Sequence, residues 1–452
     1  MGHEVVGFLH KHHNLQFFNT MAAFNPMLVE TYTAPTNIAV IKYWGKNDLK
    51  LNTPMNSSSS ITLDQGDLHT ITSIAASKDL EEDRMWLNGD EIVINGRGKT
   101  CLAEIRKIAG DRKDANGNVI VAKEDWINYK VHIVSINTFP TGAGLASSAA
   151  GLACFVSTLA KLYNVSEEYE GHLTAIARQG SGSASRSMFG GFVEWQKGER
   201  SDAHDSIAIQ RADENYWPEM RAVICVVSDK EKDTSSTSGM ETSRKTSTLL
   251  AHRANNVVAG RINEMEKSYL AKDFDTFGKL TMQDSNQFHA VCMDTYPPIF
   301  YMNDISKTII RLCTIINSYY SDPITGKGIK AAYTYDAGPN AVIYCLEKDA
   351  ALIYSIMARY FPAPNSNSIG DYTNNADYYN ECTNNADNLI PADLANQLDK
   401  CGRVPASGDV KYMFYTKSGP GPIHQPIEEA ILDTSTGLPI DVSHKHKRMR
   451  IS

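Results

Sequence analysis

From residue 29 to about 218 the chain sets short apolar runs between polar breaks, a rhythm that predicts strands more often than long helices. The first β-branched stretch is Val29-Glu30-Thr31-Tyr32-Thr33, and IAVIKYW, HTITSI, EIVIN and YKVHIVSI follow it as predicted strands. One segment changes period: Leu152, Phe155, Leu159 and Leu162 recur three and four residues apart and predict one face of a helix. A second block opens on the unbroken apolar run Ala222-Val223-Ile224-Cys225-Val226-Val227. Long helical stretches follow, near 240 to 292 and 304 to 320, and then a strand pair in KAAYTYDAGPNAVIYCL. Strands and helices mixed in both halves predict α+β or α/β layers, with a domain boundary near Trp217-Pro218.

The two ends and one interior stretch break this pattern. Residues 1–28 read as an extension ahead of the first strand, and HKHKRMRIS closes a basic tail over 436–452. Between about 363 and 400 the composition turns to Asn, Asp and Tyr. The near-repeat Tyr372-Thr373-Asn374-Asn375-Ala376-Asp377 and Cys382-Thr383-Asn384-Asn385-Ala386-Asp387 predicts a surface insertion that buries little and forms no strong helix.

Composition narrows the function classes. With 452 residues and 42% hydrophobic content the chain can bury a large core. A net charge of −8 provides no basic field, so neither nucleic acid nor an anionic membrane is an expected partner, and any anionic ligand must be met by a few gathered cations. The eight cysteines are dispersed with no CxxC pair and read as core thiols of a reducing compartment. No basic start with an apolar run marks the first thirty residues, and no eighteen apolar residues are consecutive, so a cytoplasmic protein is expected.

Four segments carry candidate chemistry. Pro140-Thr141-Gly142-Ala143-Gly144-Leu145-Ala146-Ser147-Ser148 lies between a predicted strand and the predicted helix. Its glycines admit an anion, the helix start favours phosphate, and the serines can touch a phosphate-bound cation, although a tight strand-to-helix turn would also use these residues. Gly180-Ser181-Gly182-Ser183-Ala184-Ser185-Arg186-Ser187 offers hydroxyls and one guanidinium to a carboxylate or phosphate, and by itself could be a flexible loop. Asp336-Ala337-Gly338-Pro339-Asn340 puts an acid between a strand and a glycine turn, where capping alone would account for it. In Asn37-Ile38-Ala39-Val40-Ile41-Lys42-Tyr43-Trp44-Gly45-Lys46 two lysines flank an aromatic pair; lysines in such a strand are ordinarily solvated at an edge, yet two together suit a polyanion. The segment Gly96-Arg97-Gly98-Lys99-Thr100 imitates a P-loop ending, but the required earlier glycine is Val93, which rules out a Walker site.

APTNIAVIKYWGK, PMNSSSSITL, FPTGAGLASSAAG, GSGSASRSMFGG, VVSDKEKDTSSTSGM, DSNQFHAVCMDTYPPIFYMND and YTYDAGPNAV occur in this order over residues 32 to 438. Together they resemble the mevalonate diphosphate decarboxylases of the galactokinase, homoserine kinase and mevalonate kinase (GHMP) superfamily. The resemblance implies a two-domain GHMP-kinase-type α+β fold: a ribosomal-S5-like N-terminal domain over 29–218, a ferredoxin-like C-terminal domain over 219–435, and a cleft between them. It also implies ATP and Mg²⁺ as cofactors, mevalonate 5-diphosphate as substrate, and a homodimer.

The same resemblance assigns residues. Pro140, Gly142, Ala143, Gly144, Leu145, Ala146, Ser147 and Ser148 fall on the ATP phosphate site with Lys232, and Ser148 falls near Mg²⁺. Asn37, Tyr43, Trp44, Gly45, Lys46, Ser181, Gly182, Ser183, Ala184, Ser185, Arg186, Ser236 and Thr237 fall on substrate. Arg84 joins them, a little displaced from the family's substrate arginine, and Gly142 stands where alanine is frequent. Asp336, Lys42 and Arg186 fall on the catalytic positions. The implied reaction phosphorylates a tertiary hydroxyl and then loses phosphate and CO₂; a kinase that stops after the first step is the alternative.

Overall fold

The structure is a computed structural model and describes residues 27–94, 96–139, 147–228, 232–365 and 368–441. The N-terminal half is built on a six-stranded sheet in the order Ile423–Gln425, Leu28–Pro35, His69–Ser77, Lys130–Asn137, Arg84–Leu87, Asp90–Ile92. All neighbours are antiparallel except Lys130–Asn137 with Arg84–Leu87. The helix Ser147–Leu162 packs on this sheet. Its expected face holds, with Phe155, Leu159 and Leu162 buried and Leu152 partly buried, but Ala149, Ala150, Ala153 and Cys154 are buried as well. Small residues on that second side let the backbones close up, and the Cys154 thiol donates to the Tyr32 carbonyl at 3.0 Å.

A second, antiparallel sheet runs Ala208–Ala212, Phe192–Trp195, Ser58–Thr62, Asn37–Ile41. The third, also antiparallel, runs Ala332–Tyr335, Ala341–Leu346, Met220–Val226, Tyr412–Lys417. In Met220–Val226 alternate side chains enter different cores: Val223 and Cys225 join Ile309 and Ile353, whereas Ala222, Ile224 and Val226 join Phe277 and Phe414. A strand covered on both faces loses its period of two, which is why this stretch reads as an unbroken apolar run.

The helical stretch expected near 240 to 292 is divided into Ser236–Thr246, Thr248–His252, Val258–Leu270 and Phe274–Asp294, with a π turn over Arg253–Val257. Asp273 starts the last of these by accepting from the Thr276 amide at 3.2 Å.

Two expectations need correction. The Asn-rich stretch does form helices, Ala376–Asn384 and Ala392–Asp399, and it buries Tyr379, Cys382, Ile390, Leu394 and Leu398 in the core beside Tyr354. Its few apolar residues stand three and four apart, so they line one side despite a polar background. The C-terminal segment also does not stay with the second half: Ile423–Gln425 returns to pair with Leu28–Pro35, placing His424 opposite Tyr32. No described helix is long and apolar enough to cross a membrane, and all eight cysteines are free.

Candidate active site

A cleft opens where the second and third sheets meet. From the first half it is lined by Asn37, Ala39, Lys42, Tyr43, Trp44, Lys46, Arg97, Ser147, Ser148, Ser181, Gly182, Ser183 and Arg186. From the second half come Lys232, Ser236, Thr237, Met240, Phe288, Asp336 and Ala337. Lys42, Lys46, Arg97, Arg186 and Lys232 face a single carboxylate, Asp336, among these residues. A chain of net charge −8 thus concentrates cations at one place, the arrangement that a polyanionic ligand requires.

Lys42 follows the strand Asn37–Ile41 and is 3% exposed; its ammonium donates to Asp336 Oδ1 at 2.6 Å. Burial pushes the lysine's pKa down, and the Asp336 carboxylate opposes that shift. Asp336 follows the strand Ala332–Tyr335 and retains 30% side-chain exposure, so its carboxylate remains accessible from the cleft. Behind the pair, His289 is buried with a pKa lowered to about 4 by burial and then by the Lys42 charge, so it is a neutral imidazole.

Arg186 lies in the turn Gly182–Met188 with 2% exposure and, among the described residues, forms no salt bridge with a carboxylate. Three oxygens aim it: Ser58 Oγ accepts at 2.6 Å, Ser60 Oγ at 3.0 Å and Asn37 Oδ1 at 3.2 Å. Burial brings its pKa down to about 10. Asn37 is held in turn by donating to the Ser187 hydroxyl at 2.7 Å and the Ser183 carbonyl at 3.0 Å. Gly182 is required sterically, since a Cβ there would stand 2.6 Å from the Trp195 ring and 2.9 Å from the Tyr43 hydroxyl. The hydroxyls of Ser148, Ser181 and Ser183 form a chain at 3.3 Å spacings across the floor.

Lys46 is 4% exposed, and burial followed by the Arg97 charge lowers its pKa to about 8. Of the two readings open for this segment, solvated edge lysines or cations gathered for a polyanion, the burial of Lys42 and Lys46 fits the second. Lys232 donates to Ser236 Oγ at 3.3 Å, and its pKa too is lowered by burial.

Several assigned residues play other parts. Arg84 is not brought to the cleft: it pairs bidentately with Glu91 at 2.8 Å on the far edge of the first sheet and stacks on Trp86, so its assignment to substrate is corrected. Ala184 and Ser185 are fully buried and stabilise the turn, Ser185 Oγ donating to the Gly182 carbonyl at 2.7 Å. Gly45 supplies a positive φ of 85° and allows Met55 to pack close. Trp44 donates to Ser243 at 2.9 Å and packs on Phe288, fastening the lysine segment to the second half. Pro140, Gly142, Ala143, Gly144, Leu145 and Ala146 lie outside the described residues. The reading of the sequence missed Arg97, which opens the helix Gly96–Lys107 and donates to Thr237 at 3.3 Å across the cleft. Its signal was a basic residue at a helix start inside the segment set aside as a false P-loop.

Among the described residues no three His, Cys, Asp or Glu side chains converge to hold a metal. The cleft instead offers Ser147 and Ser148, which fits Mg²⁺ held largely by phosphate oxygens and water.

Comparison with known proteins gives a consistent result. Residues 34–208 match the family described as diphosphomevalonate decarboxylase-like N-terminal domain, and residues 222–425 match mevalonate 5-diphosphate decarboxylase C-terminal domain. The diphosphomevalonate decarboxylase of Danio rerio is 48% identical over 394 residues, covering 87% of this chain and 92% of that protein. The structure of mevalonate diphosphate decarboxylase from Trypanosoma brucei superposes with a TM-score of 0.77 at 31% identity, covering 90% of this chain and 100% of that one. The protein designated MDDEF, solved with MVAPP, AMPPCP and magnesium, superposes with a TM-score of 0.63 at 26% identity, covering 88% and 99%.

Proposed function

The chain belongs to the diphosphomevalonate decarboxylase family, and from that premise we propose how its cleft divides the work of the reaction. The enzyme converts mevalonate 5-diphosphate and ATP to isopentenyl diphosphate, ADP, phosphate and CO₂ in the mevalonate pathway. Its fold is the two-domain GHMP-kinase type. Use of ATP and magnesium agrees with the family complex that holds AMPPCP and magnesium.

The observation that carries the assignment of roles is the Lys42–Asp336 pair standing among four further cations. Asp336 takes the proton of the tertiary hydroxyl as that oxygen becomes a nucleophile. Its Oδ1 is engaged by Lys42, which leaves Oδ2 for the substrate. Lys42 orients the aspartate through its Oδ1 and balances charge that gathers on the transferred phosphoryl group. Arg186, aimed by Ser58, Ser60 and Asn37, orients the substrate carboxylate, so that loss of phosphate draws the carboxylate electrons into the new double bond and releases CO₂. Tyr43, Lys46 and Arg97, with Ser181 and Ser183, are the groups that receive the diphosphate. Lys232, Ser236 and Thr237 close the nucleotide side. Ser147 and Ser148 would hold Mg²⁺, which when bound neutralises phosphate charge. The homodimer is read from the family resemblance, and the cytoplasmic location from the dispersed, unpaired cysteines of a reducing compartment.

The test follows ADP by a coupled oxidation while CO₂ is trapped from carboxyl-labelled mevalonate 5-diphosphate. One CO₂ for each ADP is expected, with mevalonate and its 5-monophosphate poor substrates, because remote diphosphate binding positions the reacting groups. Release of ADP without CO₂, with a 3-phosphorylated acid accumulating, would give the site to a kinase.

A further inference from the structure

The peptide of Lys42 has no strand partner of its own. The strand Asn37–Ile41 bulges between Ala39 and Ile41 where it pairs with Ser58–Thr62, and the next residue is Lys42. Its N–H donates to Asp284 Oδ1 at 2.7 Å, and its carbonyl accepts from Arg253 Nη2 at 2.8 Å and from Asn56 Nδ2 at 3.0 Å. Asp284, in the middle of the helix Phe274–Asp294, is completely buried and so is Arg253. Arg253 binds the carboxylate through both Nη atoms, at 2.7 and 2.9 Å, and Arg261 adds a third bond at 3.0 Å. Gln287 ties the two arginines together, accepting from Arg253 at 2.5 Å and from Arg261 at 2.9 Å. Arg253 opens the π turn Arg253–Val257, a local widening that separates the helix turns on either side of it.

Such a cluster is a poor way to gain stability. Burying ionised groups costs several kcal/mol each before their attraction returns it, and apolar residues of the same volume commonly serve as well. What the cluster provides is a fixed position, and the atoms it fixes belong to the residue whose ammonium faces Asp336. Lys42 also lies in the half matched by the N-terminal family domain, whereas Arg253, Arg261 and Asp284 lie in the other.

We propose that Asp284, clamped by Arg253 and Arg261, is a positioning residue of the reaction: from across the domain boundary it fixes the peptide of Lys42, and through it the place and charge of the ammonium beside Asp336. The inference rests on the role given to Lys42 above. The charged and titratable groups facing Lys42 are Asp336, Asp284, Arg253, Arg186 and the neutral His289. Asp284 supplies a negative charge that favours the ammonium. Removing it lowers the pH at which Lys42 loses its proton.

The experiment measures kcat, both KM values, the pH profile of kcat and the thermal midpoint for Lys42→Met, Asp284→Asn, the double variant and Arg261→Gln. Asp284→Asn should lose about 10²-fold in kcat, the scale of a misplacement near 1 Å, with each KM within about threefold. Its high-pH limb should move down. Lys42→Met should lose more, and adding Asp284→Asn to it should cost nothing further, because the aspartate acts through the lysine. Arg261→Gln, whose side chain is 19% exposed, should fold and, by releasing one of the bonds that hold Asp284, lower kcat with each KM within about threefold. A folded Asp284→Asn enzyme with normal kcat and an unmoved limb overturns the proposal, as do losses that multiply in the double variant. Should Asp284→Asn not fold, a folded Arg261→Gln enzyme with normal kcat overturns it alone. Normal turnover by Lys42→Met would instead remove the role of Lys42, a separate failure.

Discussion

Replacing Arg186 with lysine keeps a positive charge in the cleft and removes the fork, so it isolates geometry from charge. Arg186 spends its Nε and Nη1 protons on Ser58, Ser60 and Asn37 and is 2% exposed, which fixes the plane of the guanidinium before substrate arrives. A lysine has one nitrogen and cannot hold those three oxygens while also meeting a carboxylate with two parallel bonds. Hydrogen bonds to charged groups are worth about 1.5–3 kcal/mol each. Losing the equivalent of two raises the barrier by about 3–6 kcal/mol, or about 10²- to 10⁴-fold in kcat/KM for mevalonate 5-diphosphate. The nucleotide side of the cleft, at Ser148 and Lys232, does not touch Arg186 through any hydrogen bond described above, so the KM for ATP should stay within about threefold. Steady-state kinetics with each substrate varied, plus calorimetric titration of each ligand, measures the split. Equal losses for both ligands in a folded Arg186→Lys enzyme would move Arg186 out of the substrate site.

Asp336→Asn should lower kcat by about 10³-fold with little change in KM for mevalonate 5-diphosphate, since it removes a base used in the transition state and leaves Lys42 without its carboxylate; near-normal turnover would refute the assignment. Lys46, with a pKa near 8, should lose its charge as pH rises past that value, so KM for mevalonate 5-diphosphate should climb above about pH 8 and remain flatter in Lys46→Arg; a KM insensitive to pH in both enzymes contradicts the diphosphate role. Leu398→Ala should cost about 2–5 kcal/mol in a denaturant titration, because the Asn-rich stretch buries this leucine completely; a change below about 0.5 kcal/mol would return that stretch to the surface.

Periodicity and local chemistry were enough to recover much of the molecule. The helix Ser147–Leu162, the strand Met220–Val226 and the glycine turn after Asp336 are written in spacings of a few residues, and seven motifs in order identified the family. Motif order also picked out Lys42, Arg186 and Asp336. The misreadings have a common physical origin in distance along the chain. Arg84 and Arg97 are thirteen residues apart, and nothing local says which faces the cleft; that depends on Arg84 meeting Glu91 at a sheet edge while the helix Gly96–Lys107 turns Arg97 inward toward Thr237. The burial of the lysines at 42 and 46, which spacing alone left open, depends on Trp44 packing on Phe288, almost 250 residues away. The clamp of Asp284, Arg253 and Arg261 on Lys42 joins segments separated by more than 200 residues. Local propensity determines which segments become strands and helices, whereas burial and the pairing of distant charges arise only when the two domains close on each other, and those decided which charged side chains do chemistry.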